Sequence, residues 1–312
     1  MKTAFLFPGQ GAQSVGMGKD IYDNFEEARE IYKKAEDVTG IDVKRLCFEG
    51  PEEELMKTEN TQIAILTTSL AILSVLEKYN IKAEMTAGLS LGEYTSLIYG
   101  GYLTIEEGMK LIKKRGYYMG NFLPKQEKYM MSAVIGLDSS IIKDICMDIK
   151  NTEFVVPANY NCKAQTVISG TEKGIELATE KLKEAGAKRV IPLKTSGPFH
   201  TEKLLEAEKL YEKELENAKF ENGNDIQVVK NIDGMPYKKD ENMKVILAKH
   251  IISPVRFDKT IETMRNNGIT DFIEIGPGKT LTGFVKKDYK EANIYNINNL
   301  ESLKDFLNEK GE

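Results

Sequence analysis

Ala4-Phe5-Leu6-Phe7 runs into Pro8-Gly9-Gln10-Gly11-Ala12-Gln13, and near the other end of the chain Asp271-Phe272-Ile273-Glu274-Ile275 runs into Gly276-Pro277-Gly278. Each is an apolar run of strand length stopped by a glycine-rich turn, with helical spacing after it, over Lys19 to Asp37 in the first case. Between them, Ile63, Leu66, Leu70, Leu73 and Leu76 form one stripe of a helix over 61–79, followed by a short strand to Ala87 and a helix from Leu91. Apolar strands separated by helices predict a parallel α/β sheet whose loops gather at the strand C-termini.

The middle of the chain departs from that alternation. Its pattern predicts strand 131–137, helix 139–149, strand 153–158, strand 165–169, helix 172–186 and strand 188–193, the β-α-β-β-α-β order of a ferredoxin-like unit. The expected architecture is a large α/β domain with a hydrolase-like parallel sheet, formed by 1–124 and 195–312, carrying an inserted small ferredoxin-like domain at 125–194. The cleft between them is the default site. The Lys/Glu-rich run 202–219 reads as the solvated face of a helix.

With 312 residues, 41% hydrophobic and 29% charged, the chain has the composition of a soluble globular protein, not of a disordered or fibrous one. Cys47, Cys146 and Cys162 form no CxxC pair, which fits a reducing compartment and a cytoplasmic location. Four apolar residues before Pro8 are too few for a signal peptide. The stretch Ile63 to Leu76 is shorter than the roughly 20 residues that span a bilayer, so a core helix and no membrane are expected. The net charge of −5 gives no support for nucleic-acid binding, while leaving room for a local basic patch. Two distant histidines and three scattered cysteines make no recognisable metal site.

Gly88-Leu89-Ser90-Leu91-Gly92 fits G-x-S-x-G, with a strand before it and a helix after it. Such a turn needs glycines where backbones approach closely, and it holds a serine hydroxyl over backbone N–H groups that can stabilise an oxyanion. A serine nucleophile needs a base, and the chain offers only His200 and His250. His200 is the stronger candidate: Ser196 or Gly197 can cap a helix opened by Pro198, and that helix N-terminus would keep the imidazole neutral. Arg115 lies on the apolar stripe of a helix over 106–119, with Leu111, Ile112, Tyr118 and Met119, so it faces the core. It either pairs with an internal Asp or Glu or waits for an anionic substrate, and spacing leaves both open. Gly276-Pro277-Gly278-Lys279-Thr280 lacks the first glycine of a P-loop, and Gly9-Gln10-Gly11 lacks the third glycine of a dinucleotide fingerprint.

Together these segments resemble the malonyl-CoA:acyl carrier protein transacylases of type II fatty acid synthesis, relatives of polyketide synthase acyltransferase domains. The resemblance spans Phe7 to Gln13, Gly88 to Tyr94, Arg115-Gly116, Asn159-Tyr160-Asn161, Gly197-Pro198-Phe199-His200, Ser253 to Phe257 and Gly276 to Lys279. It implies an acylated Ser90, His200 as its partner, an oxyanion hole from the backbone N–H groups of Gln10 and Leu91, and Arg115 on the free carboxylate of the malonyl group. Asn159, Phe199 and His250 are the further implied substrate-pocket residues, Phe199 favouring malonyl over methylmalonyl. His250 stands where Gln or Asn is usual, at the position whose backbone carbonyl orients the histidine, and Leu89 stands where many members carry His or Gln. The implied partners are malonyl-CoA and acyl carrier protein, docked on a basic surface at Arg189, Lys286 and Lys287, with no cofactor. A serine esterase or thioesterase would leave Arg115 without a role, and the joint presence of Ser90, His200 and Arg115 speaks against an inactive docking subunit.

Overall fold

The apolar runs form strands that are, in chain order, β1 (Lys2–Phe7), β2 (Met85–Gly88), β3 (Tyr129–Ile135), β4 (Val155–Cys162), β5 (Gln165–Thr171), β6 (Arg189–Pro192), β7 (Gln227–Val229), β8 (Val255–Arg256), β9 (Ile269–Ile275) and β10 (Asn293–Ile297). This computed structural model describes residues 2–125, 127–195 and 197–311. One sheet has the order β10-β9-β1-β2-β7, and every neighbouring pair is parallel. Its central strand β1 is covered on both faces, which is why Ala4 to Phe7 reads as continuously apolar and does not alternate.

The second sheet has the order β6-β3-β5-β4-β8. Strands β3 to β6 pair antiparallel and are interleaved with helices Ser139–Lys150 and Glu172–Glu184 in the expected chain order. Two residues from the C-terminal segment extend this sheet: β8 lies parallel to β4, with Asn159 opposite Val255 and Tyr160 opposite Arg256. Strand β4 also runs four residues beyond its expected end at 158. Pro157, inside the expected strand, sits at a register shift, where the missing N–H does not break the ladder.

Three helices differ from their sequence reading. Lys19 to Asp37 is two helices, Lys19–Asn24 and Glu26–Thr39, because Phe25 is extended (φ −129°) and caps the second. The helix expected over 61–79 is Thr58–Lys78, buried on nearly every face and not on one stripe, since other helices and the sheet enclose it. Its 21 residues are long and apolar enough to cross a bilayer, so its burial inside the protein, not a shortage of length, marks it as a core helix. The helix expected to open at Pro198 begins later, as a 3₁₀ turn Glu202–Leu204 capped by the Thr201 side chain and followed by Leu205–Asn217. His200 precedes it, and Ser196 lies outside the described residues.

The crossing of β1, β2 and the helix Gly92–Tyr99 leaves no room for a side chain. A Cβ on Gly92 would lie 2.2 Å from the Phe7 carbonyl oxygen, and one on Gly88 would lie 2.0 Å from the Gly92 carbonyl carbon. Gly283, in the helix Thr280–Asp288, faces open space. Thermal melts should therefore show Gly92→Ala destabilised by about 2–3 kcal/mol or more, and Gly283→Ala stabilised by roughly 0.5–1 kcal/mol. A Gly92→Ala protein as stable as the parent would contradict the packing described here.

Candidate active site

Strand β2 ends at Gly88 and the helix Gly92–Tyr99 begins four residues later, so the intervening turn must be sharp. Ser90 sits at its apex with φ 54°, a left-handed conformation costly for a residue with a Cβ. Asn231 holds the turn from outside. Its Oδ1 accepts the Ser90 N–H at 2.8 Å and its Nδ2 donates to the Gly88 carbonyl at 2.7 Å.

The Ser90 hydroxyl meets two buried side chains. His200 Nε2 lies 2.8 Å from Oγ, and His200 Nδ1 donates to the His250 carbonyl at 3.0 Å. Donation through Nδ1 leaves Nε2 of a neutral ring as the acceptor, so the Ser90 hydroxyl donates to it. Arg115, fully buried in the helix Ile105–Asn121, donates from Nη2 to the same Oγ at 3.1 Å and from Nη1 to Gln62 Oε1 at 2.8 Å. Its Nε has no partner among the described residues, and no Asp or Glu among them forms an ion pair with it. Among the described residues, the alternative of an internal ion pair for Arg115 is not realised.

Burial, and secondarily the Arg115 charge, push the His200 imidazole down to about 3. The ring is thus kept neutral by its surroundings and not by a helix N-terminus, as the sequence suggested: His200 is itself in a left-handed turn (φ 59°) ahead of the helix. His250 is not on the cavity wall. It lies behind His200, 1% exposed, with the two rings stacked at 4.9 Å.

A cavity of about 220 Å³ opens over Ser90 and His200 and is lined from both parts of the chain. Gln10, Leu89, Phe199, Leu281 and Phe284 come from the flanking segments, and Met131, Asn159 and Asn161 from the middle one. Leu91 directly follows Ser90, and the backbone N–H groups of Gln10 and Leu91 donate to nothing else among the described residues. The side of the cavity carrying Leu281 and Phe284 is fixed by buried Glu274 at the end of β9, which accepts the N–H groups of Leu281 and Thr282. This constellation of a neutral imidazole on a strained serine, free N–H groups nearby and a cation on the same oxygen can transfer an acyl group bearing an anion.

The acyl transferase domain model matches residues 4–305. The malonyl CoA-acyl carrier protein transacylase of Bacillus subtilis is 39% identical over 97% of this chain and 95% of its own. The chain belongs to this acyl transferase family. A solved transacylase of the same name from Clostridium perfringens is 42% identical, with a TM-score of 0.95 over 100% of this chain and 98% of that one. A structure of a type II PKS acyl-carrier protein in complex with its malonyl-transacylase is 34% identical, with a TM-score of 0.94 over 99% of this chain and 100% of the other.

Two residues of this transacylase-family site, Gln62 and Asn231, lie in none of the motifs, and Glu93, inside the Gly88 to Tyr94 motif, was given no role by sequence reasoning. Gln62 lies inside an apolar helix run, where a buried amide is the one visible signal. Asn231 and Glu93 act on the serine turn from positions whose contacts span more than 130 residues of chain. The basic residues lie apart from the reacting groups: Arg189 is exposed at the start of β6, and Lys286 and Lys287 are exposed on the helix that carries Leu281 and Phe284.

An unfolded imidazole takes up a proton near pH 6.5, whereas folded His200 stays neutral down to about 3. Its contribution to stability is full above 6.5 and is lost progressively as the pH falls from there toward 3. His200→Gln should therefore show a smaller drop in Tm between about pH 8 and about pH 5 than the parent protein, other titrating groups being common to both. Equal drops would mean that His200 is protonated in the folded state.

Proposed function

We propose that the protein transfers the malonyl group of malonyl-CoA to the phosphopantetheine thiol of acyl carrier protein through a malonyl ester on Ser90, supplying fatty acid synthesis. One observation carries this reading. Buried Arg115, with no ion-pair partner among the described residues, donates to the same Ser90 oxygen that is hydrogen-bonded to His200. A fork-shaped cation beside the nucleophile suits an acyl group whose own carboxylate is one methylene from the reacting carbonyl. The names of the relatives support the same substrate pair.

In the first half-reaction Ser90 Oγ attacks the thioester carbonyl as its proton passes to His200 Nε2. The N–H groups of Gln10 and Leu91 stabilise the oxyanion, and the C–S bond breaks as the CoA sulfur takes the proton from His200. In the second, the phosphopantetheine thiol gives its proton to His200 while attacking the malonyl ester, and Ser90 Oγ leaves with that proton. No cofactor is consumed. Phe199, only 6% exposed on the cavity wall, would crowd an α-methyl branch, and Asn159 on the same wall would meet the acyl chain or its carrier arm.

The same proposal includes a small domain at 125–194 set on a large one of 1–124 and 195–312, and a carrier-protein surface at Arg189, Lys286 and Lys287 near the mouth of the cleft. The helix of Lys286 and Lys287 also lines the cavity, which supports that placement. A cytoplasmic location is consistent with three buried free cysteines.

Mass spectrometry of the intact protein mixed with malonyl-CoA tests the proposal. The parent protein should gain one malonyl group, Ser90→Ala none, and His200→Ala should gain it about 10²–10⁴-fold more slowly. A parent protein that stays unmodified, or an adduct that survives Ser90→Ala, would overturn the assignment.

A further inference from the structure

Glu93 follows the second glycine of the serine turn, and its carboxyl is buried, 1% exposed, with no part in the reaction as described so far. Its Oε1 accepts from the Tyr237 hydroxyl at 2.5 Å and its Oε2 from the Asn231 N–H at 3.3 Å. The same Oε2 lies 3.2 Å from His250 Nδ1. His250 in turn touches His200 twice, through its carbonyl on Nδ1 and through its stacked ring. The Glu93 contact is close but off-line, and neither His250 ring nitrogen has a hydrogen-bond partner among the described residues. For a buried imidazole that must place one N–H somewhere, the carboxylate is the acceptor within reach.

We propose that Glu93 and His250 form a buried acid–imidazole pair that positions His200 and supplies the negative charge facing it when it takes the proton of Ser90. Charge accounting supports this role. The titratable groups facing the pair are Tyr237, Tyr94, Arg115 and His200. Once substrate is bound, its carboxylate cancels Arg115, and Glu93 is left as the anion behind the new imidazolium. A carboxylate so placed favours the charged ring without touching it, an arrangement the carbonyl of His250 alone does not provide.

Burial pushes Glu93 up to about 7 against the opposing pull of Tyr237, Asn231 and Arg115, while His200 is held far lower and His250 well below its usual range. As the pH falls through about 7, Glu93 takes up a proton and the support for the imidazolium is lost. The acid limb of Ser90 acylation therefore belongs to this pair and not to His200.

This inference rests on the acyl transfer proposed above, and one experiment separates the two. Acylation of Ser90 by malonyl-CoA is followed by rapid quench and mass spectrometry from about pH 5.5 to about pH 8.5, in the parent protein, Glu93→Gln and His250→Gln. An unmodified parent protein would sink the transfer reaction itself. Given a parent adduct, Glu93→Gln mimics the protonated acid. It should be slower by about tenfold or more at high pH, keep its KM, and converge on the parent rate at low pH with no acid limb of its own. His250→Gln keeps an N–H donor for the carboxylate, so it should retain an acid limb where the parent has one. A Glu93→Gln enzyme with the parent rate and limb would overturn the pair's role. Should that variant fail to fold, a ¹³C carboxyl titration of the parent protein decides. A buried Glu titrating near 7 supports the pair, and the absence of any carboxyl titrating above the ordinary range overturns it.

Discussion

A guanidinium removed from water without an anion beside it is among the more expensive things a protein core can hold. Here Arg115 has an amide oxygen, a serine hydroxyl and the face of Tyr94, with its centroid 5.8 Å from the guanidinium carbon. The surrounding structure is arranged so that this cation neither escapes to solvent nor finds an internal carboxylate. The helix Ile105–Asn121 turns Arg115 inward with Leu111, Ile112 and Met119, and leaves its exposed lysines on the other side. Gln62 reaches it from Thr58–Lys78, a helix buried nearly all round. The buried carboxyl of Glu93 takes its hydrogen bonds from Tyr237 and Asn231 and not from Arg115. On the function proposed above, the unpaired charge is the specificity of the site, stored in the free enzyme.

Bringing Ser90 to that cation costs the backbone something as well. The serine and the histidine both adopt left-handed φ values, and both are fixed by partners far away in sequence. Asn231 pins the serine turn from β7's end, and the His250 carbonyl pins the imidazole. Two glycines allow β1, β2 and the following helix to pack closer than any side chain permits. Local strain is thus held by tertiary contacts, which keep the reacting atoms within hydrogen-bond distance before substrate arrives.

Much of this was legible from residue order. The parallel sheet follows from apolar strands ended by glycine turns, and the β-α-β-β-α-β middle from its alternation, because both patterns are local. The inward face of Arg115 follows from helical period alone. What period and motif do not carry is the partner across the fold. Phe25 breaks a continuous helical pattern, and Pro157 is absorbed at a register shift that only the paired strand reveals. His200 was expected in a helix's first turn, whereas it lies before the helix and owes its neutrality to burial. Gln62 and Asn231 are polar residues whose meaning depends on contacts made across dozens of residues or more, so no spacing rule could mark them, and Glu93 sits in the serine motif while its partners Asn231 and Tyr237 lie far along the chain.

The central claim is that Arg115 is a substrate's counter-ion and not a structural one. Its most direct test is the ratio of kcat/KM for acetyl-CoA to that for malonyl-CoA in Arg115→Ala and in the parent protein. If the guanidinium meets the malonyl carboxylate, its removal leaves that carboxylate buried and unpaired while an acetyl group loses nothing. The ratio should then rise by about 10² or more. A ratio unchanged from the parent value, in a variant that still folds, would contradict the account.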